Sequence, residues 1–260
     1  MPEILEVEQY RRLAATTLGR VVADVVAPDP WYLKRGLDAS AVSAALVGRQ
    51  FEADRRVGKL LLLDVADGPT IGIRFGMTGA LFVDDEPAIA RLEYTAALND
   101  PAWDRFTVRF EEGGDLVIRD PRRLGGVELD PDESRLGFDA LGLTLGQLRL
   151  ALDASRAPLK ARLLDQSRVA GIGNLLADEI LWRAGLDPAR PAGSLDVAEQ
   201  RRLHRHLRGT LRELQERGGS HTGDLQMMRG RDGVCPRDGT PLERRTIGGR
   251  TTYSCPYHQR

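Results

Sequence analysis

Hydrophobic and polar positions change rhythm twice along the chain. Residues 3–18 place Ile4, Val7, Leu13, Ala14 and Leu18 at helical spacing, which predicts a helix tying down the start of the chain. Short apolar runs follow at 21–27, 58–66, 70–77, 80–85, 106–120 and 125–129, each bounded by turn residues. Within 106–120 two apolar runs flank Glu112-Gly113-Gly114, the pattern of a β-hairpin. Several short strands with regular turns predict a β-sandwich or barrel over about residues 20–130.

The period becomes helical beyond Pro131. Segments 145–155, 158–169, 174–185 and 197–218 read as helices, the last stopped by Gly218-Gly219. A tail rich in Gly, Arg and Thr holds both cysteines. The expected order is a β domain (1–131), a helical domain (132–218) and a small cysteine-containing module (219–260), an α+β multidomain chain.

Composition narrows the class. The 260 residues are 42% hydrophobic and 29% charged, ordinary for a globular protein. No apolar run approaches the roughly 18 residues a membrane span needs, and the acidic start MPEILEVE is unlike a secretory signal. Two cysteines cannot build a disulfide scaffold, so a reducing, cytoplasmic compartment is expected. The net charge of -1 conceals a division: residues 201–260 hold 13 Arg and 6 acids, while the first 200 residues are net acidic. A locally basic end suggests a polyanion partner, although a solvated helix and tail would look the same. Only Lys34, Lys59 and Lys160 break the preference for Arg, and Lys is the basic residue that can be tuned to move protons.

Four motifs carry candidate chemistry. Cys235-x2-Asp238-x16-Cys255-x2-His258 has the layout of a structural zinc site on a hairpin, with a Cys235–Cys255 disulfide or two free thiols as the alternatives. Gly171-Ile172-Gly173-Asn174 opens a helix whose N–H groups suit a phosphate, or Asn174 is a plain cap. The segments GMTG (76–79) and DPRRLG (120–125) offer Met77, Arg122 and Leu124 either on ordinary turns or as wedges for a base stack. Pro2 becomes a secondary amine if Met1 is removed, and Glu3 adjoins it. Together they form a covalent-catalysis pair for a sugar C1′, though Pro and Glu are also common at helix starts.

Taken together and in order, MPEILEVE, Gly58-Lys59, GMTG, DPRRLG, LLDQSRVAGIGNLLADEILWRAGLDP and the closing module resemble the formamidopyrimidine-DNA glycosylase / endonuclease VIII family across essentially the whole chain. The resemblance implies an N-terminal β-sandwich with flanking helices, a helix–two-turn–helix domain and a β-hairpin zinc finger, with DNA in the cleft between the halves. It implies that Pro2 attacks C1′, Glu3 shuttles protons, Lys59 (on a strand in the family) binds phosphate and assists β-elimination, and Arg250 serves δ-elimination. Asn174 and Arg250 would hold the backbone, Arg156 would contact DNA, and Met77, Arg122 and Leu124 would fill the gap left by an everted base. One Zn²⁺ per chain is expected on Cys235, Asp238, Cys255 and His258.

Several positions depart from the family pattern. Leu5 replaces a proline, Leu124 an aromatic wedge, Trp103 a DNA-contacting His, and Asp238 and His258 stand at cysteine positions. The stretch between Gly219 and Cys235 is short, so the loop that covers an everted purine is expected to be reduced. The expectation is a monomeric, nucleoid-associated DNA glycosylase and AP lyase acting on double-stranded DNA. Oxidised purines are favoured because DPRRLG follows the formamidopyrimidine branch. The alternatives are an endonuclease VIII-like enzyme for oxidised pyrimidines, an abasic-site lyase, and a non-catalytic binder of damaged DNA.

Overall fold

A computed structural model describes residues 2–89 and 100–260. It divides into two compact units, Pro2 with Glu6–Glu133, and Glu3–Leu5 with Ser134–Arg260. No described helix is long and apolar enough to cross a membrane.

Helix α1 (Ile4–Ala14), which belongs to the first unit from Glu6 onward, is a turn shorter than its apolar pattern because residues 15–17 tighten into a 3₁₀ turn. Then follow β1 (Val22–Val26), α2 (Ala39–Leu46), β2 (Phe51–Val57), β3 (Leu60–Val65), β4 (Thr70–Arg74), β5 (Ala80–Val83), β6 (Glu86–Pro87), β7 (Asp104–Phe110), β8 (Asp115–Arg119) and β9 (Gly126–Leu129). Among the described residues they form two antiparallel sheets, ordered β1-β7-β8-β5-β6 and β2-β3-β4-β9, over one apolar core. The expected hairpin is β7–β8. Leu60–Leu63 are all buried because β3 is an inner strand.

Two elements carried no apolar signal. Strand β2 reads FEADRRV, yet it pairs with β3 along its length, with a register shift between Phe51 and Ala53. Its charges are matched across the fold: Asp54 with Arg11, Arg55 with Asp64 and Glu133, and Arg56 with Glu8. Helix α2 is short and alanine-rich, and Asp38 caps it by accepting the Ala41 N–H.

The second unit contains β10 (Phe138–Asp139), α3 (Leu145–Leu152), α4 (Leu159–Leu164), β11 (Val169–Ala170), α5 (Asn174–Ala184), α6 (Val197–Glu216), β12 (Glu243–Ile247) and β13 (Arg250–Ser254). The helix expected over 158–169 stops at Leu164. Beyond it Asp165 caps a turn through Ser167, and Val169–Ala170 pair in parallel with Phe138–Asp139. Helix α6 buries Leu203, Leu207, Leu211 and Leu214 along one stripe, and Asp196 and Glu199 close its start as a capping box. Ile4 and Leu5 belong to this unit's core with Leu176, Ile180 and Leu181. A smaller cluster of Trp182, Leu225, Cys235 and Cys255 lies beneath the β12–β13 hairpin.

Candidate functional site

In the first unit, Pro2 is buried, and Lys59 occupies a two-residue turn instead of a strand. Val57 pairs with Leu60 around that turn. The Arg56 guanidinium, almost fully buried, donates to the Gly58 carbonyl at 2.9 Å and to Glu8 at 3.1 Å. Glu8 is held ionised: its burial raises the carboxyl's pKa, but hydrogen bonds from Arg11 and Arg56 outweigh this and leave it below its usual value. Arg56 and Glu8 thus fix the backbone that presents Lys59.

The segments carrying Met77, Arg122 and Leu124 are tied together by Asp120, a fully buried carboxylate. It accepts from the Thr78 hydroxyl at 2.6 Å, the Gly125 N–H at 2.9 Å and the Arg122 N–H at 3.2 Å. Gly76 adopts φ +57°, and a Cβ there would stand 2.4 Å from the Leu124 carbonyl carbon, so only glycine permits this approach. Arg122 is exposed and Leu124 is 53% exposed, whereas Met77 is half-buried.

In the second unit, three of the N–H groups at the N-terminus of α5 are already taken by a carboxylate of this chain. The Glu3 carboxylate, itself fully buried, accepts the N–H groups of Gly173 (2.8 Å), Leu175 (2.9 Å) and Leu176 (3.2 Å). This corrects the expectation of an unpaired N–H group at Gly173. Nothing local to Gly171–Asn174 signals that a residue 170 positions away supplies the cap. The helix end instead stabilises and aims Glu3. Asn174 opens the helix, and its Oδ1 is buried without a hydrogen-bond partner among the described residues. Arg156 is exposed in the turn before α4.

Arg250 is exposed at the start of β13. The rest of that strand is fastened by Lys160, one of the three lysines. Its buried ammonium donates to the Thr251 carbonyl at 3.0 Å and the Thr252 hydroxyl at 2.8 Å, and pairs with Asp178 at 2.7 Å. Asp178 also accepts from the Tyr253 N–H and from Arg229. Burial pulls the Lys160 ammonium's pKa down and pushes the Asp178 carboxyl's up, while their mutual attraction opposes both. Sequence reasoning flagged Lys160 only by its rarity and missed Asp120, Arg56 and Asp178.

Cys235, Asp238, Cys255 and His258 converge, with one donor atom of each within 4.8 Å of all the others, a group able to hold a metal ion. Both cysteines are free thiols, which removes the disulfide alternative. The surroundings suit ligation. Trp182 Nε1 donates to Cys235 Sγ at 3.3 Å, and His258 Nε2 faces the Trp182 carbonyl at 3.2 Å, which leaves Nδ1 turned to the cluster. The Thr240 hydroxyl and N–H hold the Asp238 carboxyl far below the usual carboxylate range.

Residues 1–127 match the model of the formamidopyrimidine-DNA glycosylase N-terminal domain, and residues 136–225 that of its H2TH domain. The chain is 38% identical to the formamidopyrimidine-DNA glycosylase of Thermus thermophilus, covering 98% of this chain and 97% of that protein. It is 33% identical to that of Chloroflexus aggregans over 100% and 98%. Among solved structures, MutM in complex with DNA containing carbocyclic 8-oxo-G is similar at TM-score 0.83 and 26% identity, over the whole of both chains. Lactococcus lactis Fpg bound to FAPY-dG DNA is similar at 0.82 and 26%, over 99% and 100%.

Proposed function

The chain belongs to the formamidopyrimidine-DNA glycosylase family and is a base-excision DNA glycosylase, and from that premise we propose that Pro2 carries out excision and strand cleavage on oxidised purines in duplex DNA. Relatives of similar fold were captured with 8-oxo-G, FAPY-dG and abasic-site DNA, which supports this lesion class. The observation that carries the reading is Glu3: next to Pro2 in the chain, fully buried, and held by three N–H groups at the start of the helix that Asn174 opens.

The mechanism follows from these residues. With Met1 removed, the Pro2 nitrogen attacks C1′ of an everted nucleotide, and the glycosidic C–N bond breaks as the base leaves protonated. The sugar ring opens, its O4′ takes a proton, and C1′ becomes an iminium on Pro2, with Glu3 moving protons between nitrogen and sugar. Loss of a C2′ proton then expels the 3′ phosphate, a β-elimination assisted by Lys59. Arg250 assists loss of the 5′ phosphate in the δ step. Asn174, Arg156, Lys59 and Arg250 grip phosphates and fix register without reading sequence. Met77, Arg122 and Leu124 occupy the vacated stack.

Zinc is the metal that Cys235, Asp238, Cys255 and His258 suit best, since thiolate, imidazole and carboxylate in a four-donor set satisfy its tetrahedral preference. Its contribution there is structural, holding the hairpin that bears Arg250.

One observation favours a second substrate class, oxidised pyrimidines. Residues 219–235 form only two short turns, and their chain is drawn onto α5, where Glu179 accepts the Asp224 and Leu225 N–H groups. Little loop is left to cover a purine. Borohydride reduction on a panel of 8-oxoguanine, formamidopyrimidine, oxidised-pyrimidine and abasic duplexes tests both readings. We expect a covalent adduct mapping to Pro2, strongest with oxidised purines, and severe loss in Pro2→Gly. An adduct at another residue, or none on any lesion, overturns the mechanism.

A further inference from the structure

At the far end of α5 from Asn174, the second unit contains a cavity of about 480 Å³ lined by Arg183, Arg202, His206, Arg237, His258 and Arg260, with Ala184 and Gly185. No acidic residue lines it. The guanidiniums are unequally satisfied. Arg183 is fully matched by Glu179, Glu213 and Asp224. Among the described residues, Arg202 reaches only Glu199, at 3.8 Å, and Glu199 is already held by both Arg190 Nη atoms at 2.7 and 2.9 Å. Arg202 Nε is buried with no hydrogen-bond partner among the described residues. Arg237 lies 5.1 Å over the Trp182 ring, with a single long contact to the Arg183 carbonyl at 3.4 Å.

A helix C-terminus ordinarily repels anions. Here its last carbonyls are already taken, that of Trp182 by the Gly185 N–H and His258, that of Leu181 by the Leu186 N–H, and that of Arg183 by Arg237. The positive potential is felt nearby: His206 is made less basic by burial and then by Arg205, Arg237, Arg183 and Arg202.

We propose that this cavity is a phosphate-binding site in which Arg202 and Arg237 grip the anion. Convergent guanidinium forks with unused N–H donors match the several oxygens of a tetrahedral phosphate. Helix α5 has 11 residues, so the site lies roughly 15 Å along the axis from Asn174. A phosphate here is a different one from that assigned to the lesion, and the inference stands whether or not the catalytic reading does. Its source is either the DNA backbone or a free phosphate or phosphomonoester.

The test uses the full chain and the Arg202→Gln/Arg237→Gln double variant, in phosphate-free buffer at fixed ionic strength. Inorganic phosphate is titrated with calorimetry and with the His206 imidazole resonances as readouts. We expect one saturable site that perturbs His206, at least tenfold weakened in the double variant. Arg237→Gln alone, on an exposed residue, serves if the double variant does not melt cooperatively. In parallel, binding of an undamaged duplex is followed against salt. A slope of log affinity on log salt shallower by about 0.9 in the double variant assigns the site to DNA backbone, that being roughly the worth of one lost phosphate contact. An unchanged slope with phosphate binding lost assigns it to free phosphate. The proposal is overturned if the native chain shows no saturable phosphate binding and the slopes agree, or if the variants bind phosphate as the native chain does.

Discussion

Arg123 sits at φ +57°, between the two exposed side chains assigned to the vacated base stack. That conformation costs a non-glycine residue about 1–2 kcal/mol, so something must hold it. Asp29 does, accepting Arg123 Nη2 at 2.7 Å and Nε at 2.5 Å while its Oδ1 also caps the turn at Trp31. The Arg123 hydrogen bonds outweigh burial and keep the Asp29 carboxyl below its ordinary value. A carboxyl depressed in the fold contributes stability that is complete above its unfolded value of about 3.9 and is lost as pH falls through the lower folded value. Asp29→Asn therefore melts below the parent at pH 7, and the gap begins to close below about pH 4 and is gone once pH has fallen below the depressed folded value, where the parent has lost the same contribution. Base excision from duplex DNA falls with it, because Arg122 and Leu124 lose their support, whereas trapping on a preformed abasic site falls less. Equal melting of variant and parent across the whole range would show that Asp29 holds nothing.

At the scale of elements, the start of α5 concentrates the site. A Cβ at Gly173 would stand 2.1 Å from Glu3 Cδ and 2.3 and 2.5 Å from its oxygens. Gly173→Ala must therefore expel Glu3, leaving three N–H groups unpaired and the acid misplaced; each buried unpaired donor costs about 1–3 kcal/mol. The expected result is a large loss of thermal stability together with loss of the Pro2 adduct. Gly146→Ala in α3 is the control: nothing lies within 4 Å of its Cβ, so it should be neutral or gain about 0.5–1 kcal/mol and trap normally. If Gly173→Ala traps as well as Gly146→Ala, Glu3 is not positioned by this helix. This element also marks what a sequence can and cannot reveal. The helix was legible from Leu176, Ile180 and Leu181, and its start from Gly173-Asn174, because both signals are local. Its cap was not legible, because Glu3 lies 170 residues away and a carboxylate in a first turn looks like any other. Strand β2 was hidden for a related reason. Its charges are neutralised by Arg11, Asp64, Glu133 and Glu8, so no alternation of apolar residues was needed to pair it.

For the molecule as a whole, the two units differ in what keeps them folded. The first closes two sheets over a large apolar core and needs no further support. The terminal hairpin has only Trp182, Leu225, Cys235 and Cys255 beneath it, and most of β12 faces solvent. So small a core leaves the hairpin in need of a further constraint, which a metal held by the four converging donors would add. The Lys160–Asp178 pair and Arg229 anchor one strand to α4 and α5, whereas the turn that holds Asp238 is tied to α5 by Arg237 and by the Trp182–Cys235 hydrogen bond, among the described residues. Stripping the metal with a chelator should therefore melt the hairpin while the sandwich keeps its β-sheet circular dichroism. It should weaken duplex binding by removing Arg250 from register, and leave a salt dependence shallower by roughly one phosphate contact, about 0.9 in slope. Oxygen is the least favoured donor in such closed sites, so Asp238→Cys should hold zinc longer against the same chelator and restore binding at lower added metal. A chain that gives up its metal without change in melting or duplex affinity would mean that ion pairs such as Lys160–Asp178, Arg229–Asp178 and Arg245–Asp187 hold the hairpin without a metal. Asp238→Cys would then behave as the parent does.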